Sequence, residues 1–418
     1  MTSTHVDVLI IGAGISGIGA AYHLQKHCPD KSYAIIEARS AIGGTWDLFR
    51  YPGIRSDSDM YTFGFNFKPW TSSKTIAPGA EIREYIAETA SENGIDKHIV
   101  FERKVVSTSW CSKAALWTTQ VENLASGETE EFTSRLFYSC AGYYNYSEGF
   151  TPEFKNAASF SGQLVHPQHW PEDLDYSNKN IVVIGSGATA ITLVPALAKT
   201  AAKVTMLQRS PTYMASRPSE DALSNRIRRA LPAKVAYSIN RWRSVLFGIV
   251  TYRLAKARPE RLKRYLIGHI KKALSSEFDV KKHFTPSYKP WDQRICAVTD
   301  GDLFKAINNG SADIVTDHIE RFNPSGITLK SGQELKADII VTATGLKAEL
   351  LQGFKITVDG AVINPADHYC YKGMMLSGLP NFVLSMGYTN ASWTLKSDLV
   401  SEYACRMLLH MDKQQHDF

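Results

Sequence analysis

Short apolar runs recur along the chain, each closed by glycine or a polar turn. Residues 6–11 are short, largely β-branched and apolar, so they predict a buried strand, and A-A-Y-H-L-Q-K-H a few residues on predicts a helix. A second strand is expected at 32–36. The same order returns further along, with a strand from Asn180, a helix through T-L-V-P-A-L-A-K and another strand at 203–208. Two more buried runs, 137–142 and 338–346, end in glycine and are assigned to the first unit, the second run marking where that unit resumes. Alternation at 106–121 and 132–136, broken by A-S-G-E-T-E, predicts a small antiparallel meander. Residues 219–282 read as helices with apolar faces between arginines and lysines, and 398–411 as an amphipathic closing helix. Strand–helix–strand repetition of this kind predicts the α/β class.

The turns after the two leading strands carry chemistry. G-A-G-I-S-G sets Gly12, Gly14 and Gly17 at the dinucleotide-binding spacing: a tight turn, a close backbone approach to pyrophosphate, and close helix–strand packing. The anion would rest on free N–H groups of the helix N-terminus. Glu37, at the end of the next strand, can accept both ribose hydroxyls, which suits the adenosine half of FAD. In the second unit G-S-G-A-T-A supplies Gly185, Gly187 and Ala190, and the following strand ends in Arg209 instead of an acid. A guanidinium holds a 2′-phosphate that a carboxylate would repel, so NADPH is expected there; the alternative is an ordinary surface arginine. Expected, then, are two Rossmann-like dinucleotide-binding domains, the FAD domain discontinuous. The FAD domain is assigned to 1–144 and 336–418, an inter-domain linker to 145–175, and the NADPH domain to 176–335 with the helical insert 219–282.

Charge separates the insert from the rest. The chain totals +6, and residues 217–282 hold 17 Lys and Arg against 5 Asp and Glu, a local balance of +12 that leaves −6 elsewhere. A uniformly basic nucleic-acid binder would not look like this. Two readings of the insert stay open: a helical cap over a substrate cavity, or a basic face on an anionic membrane surface. The 418 residues include 44 % apolar positions and six scattered cysteines with no metal-ligand spacing and no C-x-x-C, as expected of a folded protein with free thiols. The start lacks a signal-peptide pattern, and a cytoplasmic protein, soluble or membrane-peripheral, is expected. Oligomeric state is not legible.

Two further stretches narrow the chemistry. G-G-T-W-D-L-F-R-Y-P-G-I-R-S-D makes a stiff loop around Gly44 and Trp46, and its Arg50, Arg55, Asp57 and Asp59 are charges that folding alone need not supply. F-S-G-Q-L-V-H-P-Q-H-W-P places Phe160, Gly162, His166 and Trp170 between the two units. His166 is open to reading as a base, a linker anchor or, with His169, a metal ligand; no cysteine or carboxylate stands at metal-ligand spacing, and no metal is expected.

Both stretches resemble the paired fingerprints of the Baeyer–Villiger monooxygenases, F-x-G-x-x-x-H-x-x-x-W and its glycine-rich companion, and the resemblance spans nearly the whole chain. S-D-S-D-M-Y-T-F-G-F, C-A-G-Y-Y-N-Y and Y-K-G-M-M-L-S-G-L-P-N are similar to a mycobacterial branch that activates thioamide drugs. The resemblance implies FAD and NADPH, dioxygen as co-substrate, and conversion of ketones to esters or lactones through a C4a-peroxyflavin, with sulfides or thioamides as further substrates. It assigns the catalytic guanidinium to Arg294 in Y-K-P-W-D-Q-R-I-C, held by Asp57, and makes His166 and Trp170 linker residues that couple domain rotation to cofactor binding. Relatives continue some tens of residues past the last helix, so a short or truncated member is expected. The rival is a flavin N/S-monooxygenase without ester-forming activity. A disulfide reductase would need a redox cysteine pair.

Overall fold

In the computed structural model, which describes residues 3–418, the first apolar run forms β1 (Ser3–Ile11), with Val8, Leu9 and Ile10 wholly buried. α1 (Ile15–His27) starts at Gly14 with no side-chain cap, so its first N–H groups face the turn unpaired by any cap. β2 (Tyr33–Ile36) pairs in parallel with β1, Val8 opposite Tyr33, which completes a βαβ unit. Three helices follow, α2 (Thr45–Leu48), α3 (Met60–Phe63) and α4 (Gly79–Glu92), before the short β3 (Ile99–Val100) pairs with β2.

The expected meander is β4 (Arg103–Cys111), β5 (Leu116–Asn123) and β6 (Thr129–Ser139). Trp110 and Trp117 face each other across β4 and β5 at 5.5 Å and are buried, which fixes the register. β6 is the hinge of the sheet. Its first half pairs with β5, its last residues with the strand Phe382–Leu384, and its other edge with β1. The C-terminal helix Thr394–Gln414 lies on α1, burying Ala404, Cys405 and Leu408.

β7 (Tyr144–Gly149) leaves this unit and runs antiparallel to the returning strand Leu346–Ala348, so the two chain crossings lie side by side. The second unit is a parallel sheet. In chain order it uses β8 (Gln163–Val165), β9 (Asn180–Ile184), β10 (Lys203–Gln208), then, after the outlying pair β11 (Met214–Arg217) and β12 (Cys296–Thr299), β13 (Ala312–Thr316). An antiparallel trio, β14 (Ile319–Asn323), β15 (Gly326–Leu329) and β16 (Glu334–Lys336), precedes β17 (Ile339–Thr342). The spatial order is β13-β10-β9-β17-β8.

Two expected boundaries move. β17, expected to open the resumed first unit at 336–418, sits between β9 and β8 in the second sheet; its four residues are buried and pair on both edges. A continuous apolar run reports burial on both faces but not which sheet provides it. The segment 145–175, expected as linker, contributes β8 as the edge strand of that same sheet.

The insert is helical as expected: α5 (Ala188–Leu197) belongs to the nucleotide motif, and α6 (Ala222–Ala230), α7 (Ala233–Ala257), α8 (Pro259–Ala273) and α9 (Val280–Phe284) follow. α7 reaches across to the first unit. Tyr237 Oη donates to the Phe65 carbonyl at 2.9 Å, and Arg241 donates to the carbonyls of Tyr61 (2.8 Å) and Gly64 (2.9 Å). α10 (Asp302–Asn308) completes the second unit beside β12.

Candidate active site

The loop from Gly43 to Asp59 runs from the first nucleotide turn to the second unit. At its start a Cβ on Gly44 would stand 3.1 Å from the Gly14 Cα, so the two backbones form a cradle that any side chain would fill. Trp46 packs edge-on against Phe63 at 5.6 Å. Asp47 is buried among three arginines: Arg39 donates from Nε at 2.8 Å and Nη2 at 2.6 Å, Arg50 at 2.5 Å and Arg83 at 3.4 Å. A buried carboxylate needs such partners, and this one stiffens the loop.

The middle of the loop docks on the second unit. Tyr51 is buried in that unit's core, where burial pushes its phenol above the ordinary value. Gly53 has φ +81°, and a Cβ there would meet the Thr192 carbonyl of α5 at 2.7 Å. Arg55 pairs with Asp302 of α10 at 2.6 Å. Asp59, read in sequence as a charge that folding need not supply, has a folding role: its carboxylate caps α3, accepting from the Thr62 N–H at 3.1 Å.

Asp57 and Arg294 meet. Arg294 Nη2 lies 3.2 Å from Asp57 Oδ2, the side chains 59 % and 34 % exposed, so the guanidinium is held by one partner and open on its other edges. Beside Asp57 is a cavity of about 160 Å³, lined by Trp46, Tyr51, Arg55, Asp57, Ala188 and Thr192. Residues of the first unit and of the second nucleotide helix thus share one cleft. Arg55 Nη2 is buried with no hydrogen-bond partner among the described residues. The loop bearing Arg294 is fastened from outside: Lys256 of α7 reaches Asp292 at 3.1 Å and the Trp291 carbonyl at 3.2 Å, and Tyr252 packs edge-on to Trp291 at 5.8 Å. Cys296, just after Arg294, is buried, which pushes its thiol up to about 11; it stays protonated near neutrality and is no nucleophile.

The second nucleotide turn opens onto this cleft through Ala188, and the first lies against Gly44, two residues before Trp46 of the lining. Gly12, Gly14 and Gly17 form the first, with Gly17 packed on the Gly12 carbonyl. Glu37 ends β2, buried, accepting from the N–H groups of Ala13 (2.7 Å) and Arg39 (2.8 Å); burial raises its pKa against those two bonds. Each oxygen keeps a further lone pair for a ribose hydroxyl. This acid and the side-chain-free cradle of Gly14 and Gly44 fit a dinucleotide. In the second turn Gly185 and Gly187 precede α5, Ala190 is fully buried in its first turn, and Arg209 stands exposed beyond β10. Arg209 makes no ion pair among the described residues.

The other fingerprint stands apart from the cavity. Gly162 lies against the Asp338 carbonyl, and Phe160 packs edge-on to Phe322 at 6.5 Å. His166 sits against Gly149 of the crossing strand, its Nδ1 accepting from the Gln168 N–H at 3.2 Å; burial lowers its pKa, so it is neutral at pH 7. Gln168 donates to the Asn145 carbonyl at 2.8 Å, and Trp170 is buried against Tyr176. These residues grip β7 where the chain crosses between units. No group of three or more His, Cys, Asp or Glu among the described residues is arranged to hold a metal. Sequence reasoning missed the docking by Tyr51 and Gly53, the Arg55–Asp302 pair and the Lys256 anchor. Only Y-P-G, a turn in a charged loop, hinted at the first of these.

Two nucleotide folds sharing a cleft, with a held guanidinium at its edge, define an oxidoreductase that handles two dinucleotides. The flavin-binding monooxygenase-like family matches residues 74–351, and an NAD(P)-binding Rossmann-like domain matches residues 10–72. Over 414 residues the chain is 54 % identical to the FAD-containing monooxygenase EthA of Mycobacterium tuberculosis, covering 99 % of this chain and 84 % of that protein. It is 50 % identical to the probable FAD-binding monooxygenase AlmA of Acinetobacter baylyi, covering 99 % and 83 %. Among solved structures, oxidized steroid monooxygenase bound to NADP superposes with a TM-score of 0.83 at 23 % identity, covering 98 % of this chain and 86 % of that one. An open cyclohexanone monooxygenase does so at 0.80 and 20 %, covering 98 % and 88 %. The chain belongs to the flavin-binding monooxygenase-like family.

Proposed function

We propose that this monooxygenase binds FAD in its first unit and NADPH in its second, and converts ketones to esters or lactones, oxygenating sulfides or thioamides at the same site. Overall, ketone, dioxygen, NADPH and a proton give ester, NADP⁺ and water. The observation that carries the reading is the Asp57–Arg294 pair at the edge of the cleft between the two units. The FAD-containing relatives and the NADP-bound neighbour support the cofactors.

A bound flavin supplies acceptance of a hydride from NADPH and activation of dioxygen. The protein's own residues do the rest. Glu37 and the Gly12–Gly17 turn hold the adenosine diphosphate half of FAD, and Arg209 holds the 2′-phosphate of NADPH. Trp46 and buried Tyr51 wall the cleft against water, which preserves reactive oxygen for the substrate. Arg294 stays cationic throughout and stabilises the negative charge that grows on the ketone oxygen, while Asp57 positions it. His166, Trp170, Phe160 and Gly162 are positioning residues at the crossing.

The test is to give the purified, flavin-loaded enzyme a ketone and, separately, a sulfide with NADPH. Ester from the first and sulfoxide from the second are expected. Sulfoxide alone would assign the chain to the N/S-oxygenating flavin enzymes.

A further inference from the structure

We propose that α7 docks this protein on an anionic lipid bilayer, lying in the plane of the membrane surface. The helix is amphipathic the wrong way round for a soluble cap. Its inward face carries Tyr237, Asn240 and Arg241, all buried and hydrogen-bonded. Its outward face carries Val235, Ile239, Trp242, Leu246, Ile249 and Val250, spaced by three and four residues and all exposed, so they form one stripe along the helix. Trp242 is 63 % exposed and Leu246 57 %, and Phe247 (61 %) and Leu254 (57 %) widen the stripe on one side. From Leu246 to Val250 every residue is exposed, so this turn stands proud of the body. A continuous apolar surface of this kind marks an interaction site.

Charge selects the occupant. α7 has Lys234, Arg241, Arg243, Arg253 and Lys256 and no Asp or Glu. Arg241, Arg243 and Lys256 turn to acids of the protein itself, at Asp398, Asp221 and Asp292. Lys234 and Arg253 make no ion pair among the described residues, and Arg258, Arg261 and Arg264 stand exposed just beyond. Two such helices laid together in a dimer would bring like charges face to face. An anionic surface would neutralise them, and aliphatic side chains with a tryptophan among unpaired cations are what a headgroup boundary accepts. No helix among the described residues is long and apolar enough to cross a membrane, so α7, about 37 Å long at the usual rise, lies along it. The last turns of the same helix fasten the Arg294 loop through Tyr252 and Lys256. Docking there would bring apolar substrates dissolved in lipid to the side of the molecule that carries this loop. The inference stands on the helix alone and does not depend on which reaction is catalysed.

The experiment is flotation of the flavin-loaded enzyme with phosphatidylcholine vesicles containing about a third phosphatidylglycerol, beside pure phosphatidylcholine vesicles, at physiological and high salt. The wild type is expected to float with the anionic vesicles only, and roughly tenfold more weakly in high salt. A W242Q/L246Q/I249Q/V250Q variant should lose at least roughly tenfold in partitioning, while keeping the wild-type melting temperature and flavin content, which shows that it is folded. Quenching of Trp242 by brominated lipid, absent in W242F, would place the helix at the bilayer. Failure of the wild type to float overturns the proposal and leaves the face to a protein partner. Undiminished flotation of the quadruple variant overturns it too. So does a wild-type dimer in sedimentation velocity that the variant abolishes while vesicles bind neither, because the stripe would then join copies of this chain.

Discussion

Arg294 has a single ionic partner, Asp57 at 3.2 Å, and is more than half exposed, so little of its energy goes to stability and its guanidinium remains available to a ligand. Arg294→Ala should therefore fold normally and lose about 3 kcal/mol of transition-state stabilisation, a fall in ester turnover of roughly a hundredfold or more. Asp57→Asn leaves the guanidinium in place but loose, and a smaller fall of about tenfold is expected. Steady-state ester formation in both variants, with melting temperatures alongside, checks the order. Arg209→Ala should raise KM for NADPH by about tenfold and leave that for NADH unchanged, because only the 2′-phosphate distinguishes the two. Equal KM changes for both cofactors would remove Arg209 from the site. The position of Arg209, exposed just beyond β10, was legible because the end of that strand has a fixed place in the fold, while its hold on NADPH is a proposal. The Arg294–Asp57 pair came through resemblance, since nothing in the spacing of two charges so far apart in the chain says that they touch. The Asp47 cluster with Arg39, Arg50 and Arg83 was not legible at all; which arginines converge on a buried carboxylate depends on three separate segments.

At the scale of elements, the Tyr51–Gly53 turn is the bolt between the units. Its φ of +81° and the 2.7 Å approach to the Thr192 carbonyl leave no room for a side chain. Gly53→Ala should cost about 1–3 kcal/mol in strain and contact, seen as a lower melting temperature together with a higher KM for NADPH. A lower melting temperature with unchanged KM would make the contact structural only. The C-terminal helix has its own clamp, in which Asp412 meets Lys31 at 2.8 Å and also Arg135 of β6. Burial works against the charged form, but the two cations outweigh it and hold this carboxyl below its usual value. A lowered folded-state pKa gives stability that is present above the unfolded value near 4 and is lost as pH falls through the folded one. Asp412→Asn should thus destabilise by about 1 kcal/mol at pH 7 and by progressively less as pH falls below about 4, as read from denaturation across that range. Helices and strands with clear periodicity stood where the pattern put them, α1 and the meander among them. β17 did not, because pairing partners are non-local and the same apolar run fits either sheet. The outward apolar face of α7 was half legible: the residues were visible as apolar, but only the fold shows which way they point.

For the whole molecule, the crossings β7 and Leu346–Ala348 lie antiparallel, gripped by His166 and Gln168, while the 43–59 loop and α7 tie the units together from two other sides. Such a frame keeps one cleft between the two units, and in the function proposed above that arrangement is the physical basis for passing reducing equivalents to oxygen and oxygen to substrate without release. The direct measurement is turnover of a ketone by the flavin-loaded enzyme under ¹⁸O₂, counting NADPH oxidised, peroxide released and label in the product. The account predicts one labelled oxygen atom in the ester for each NADPH consumed, with little peroxide, and a switch to peroxide in Arg294→Ala. NADPH consumption that yields only peroxide with linear, cyclic and aromatic ketones alike, or ester formation undiminished in Arg294→Ala, would contradict it.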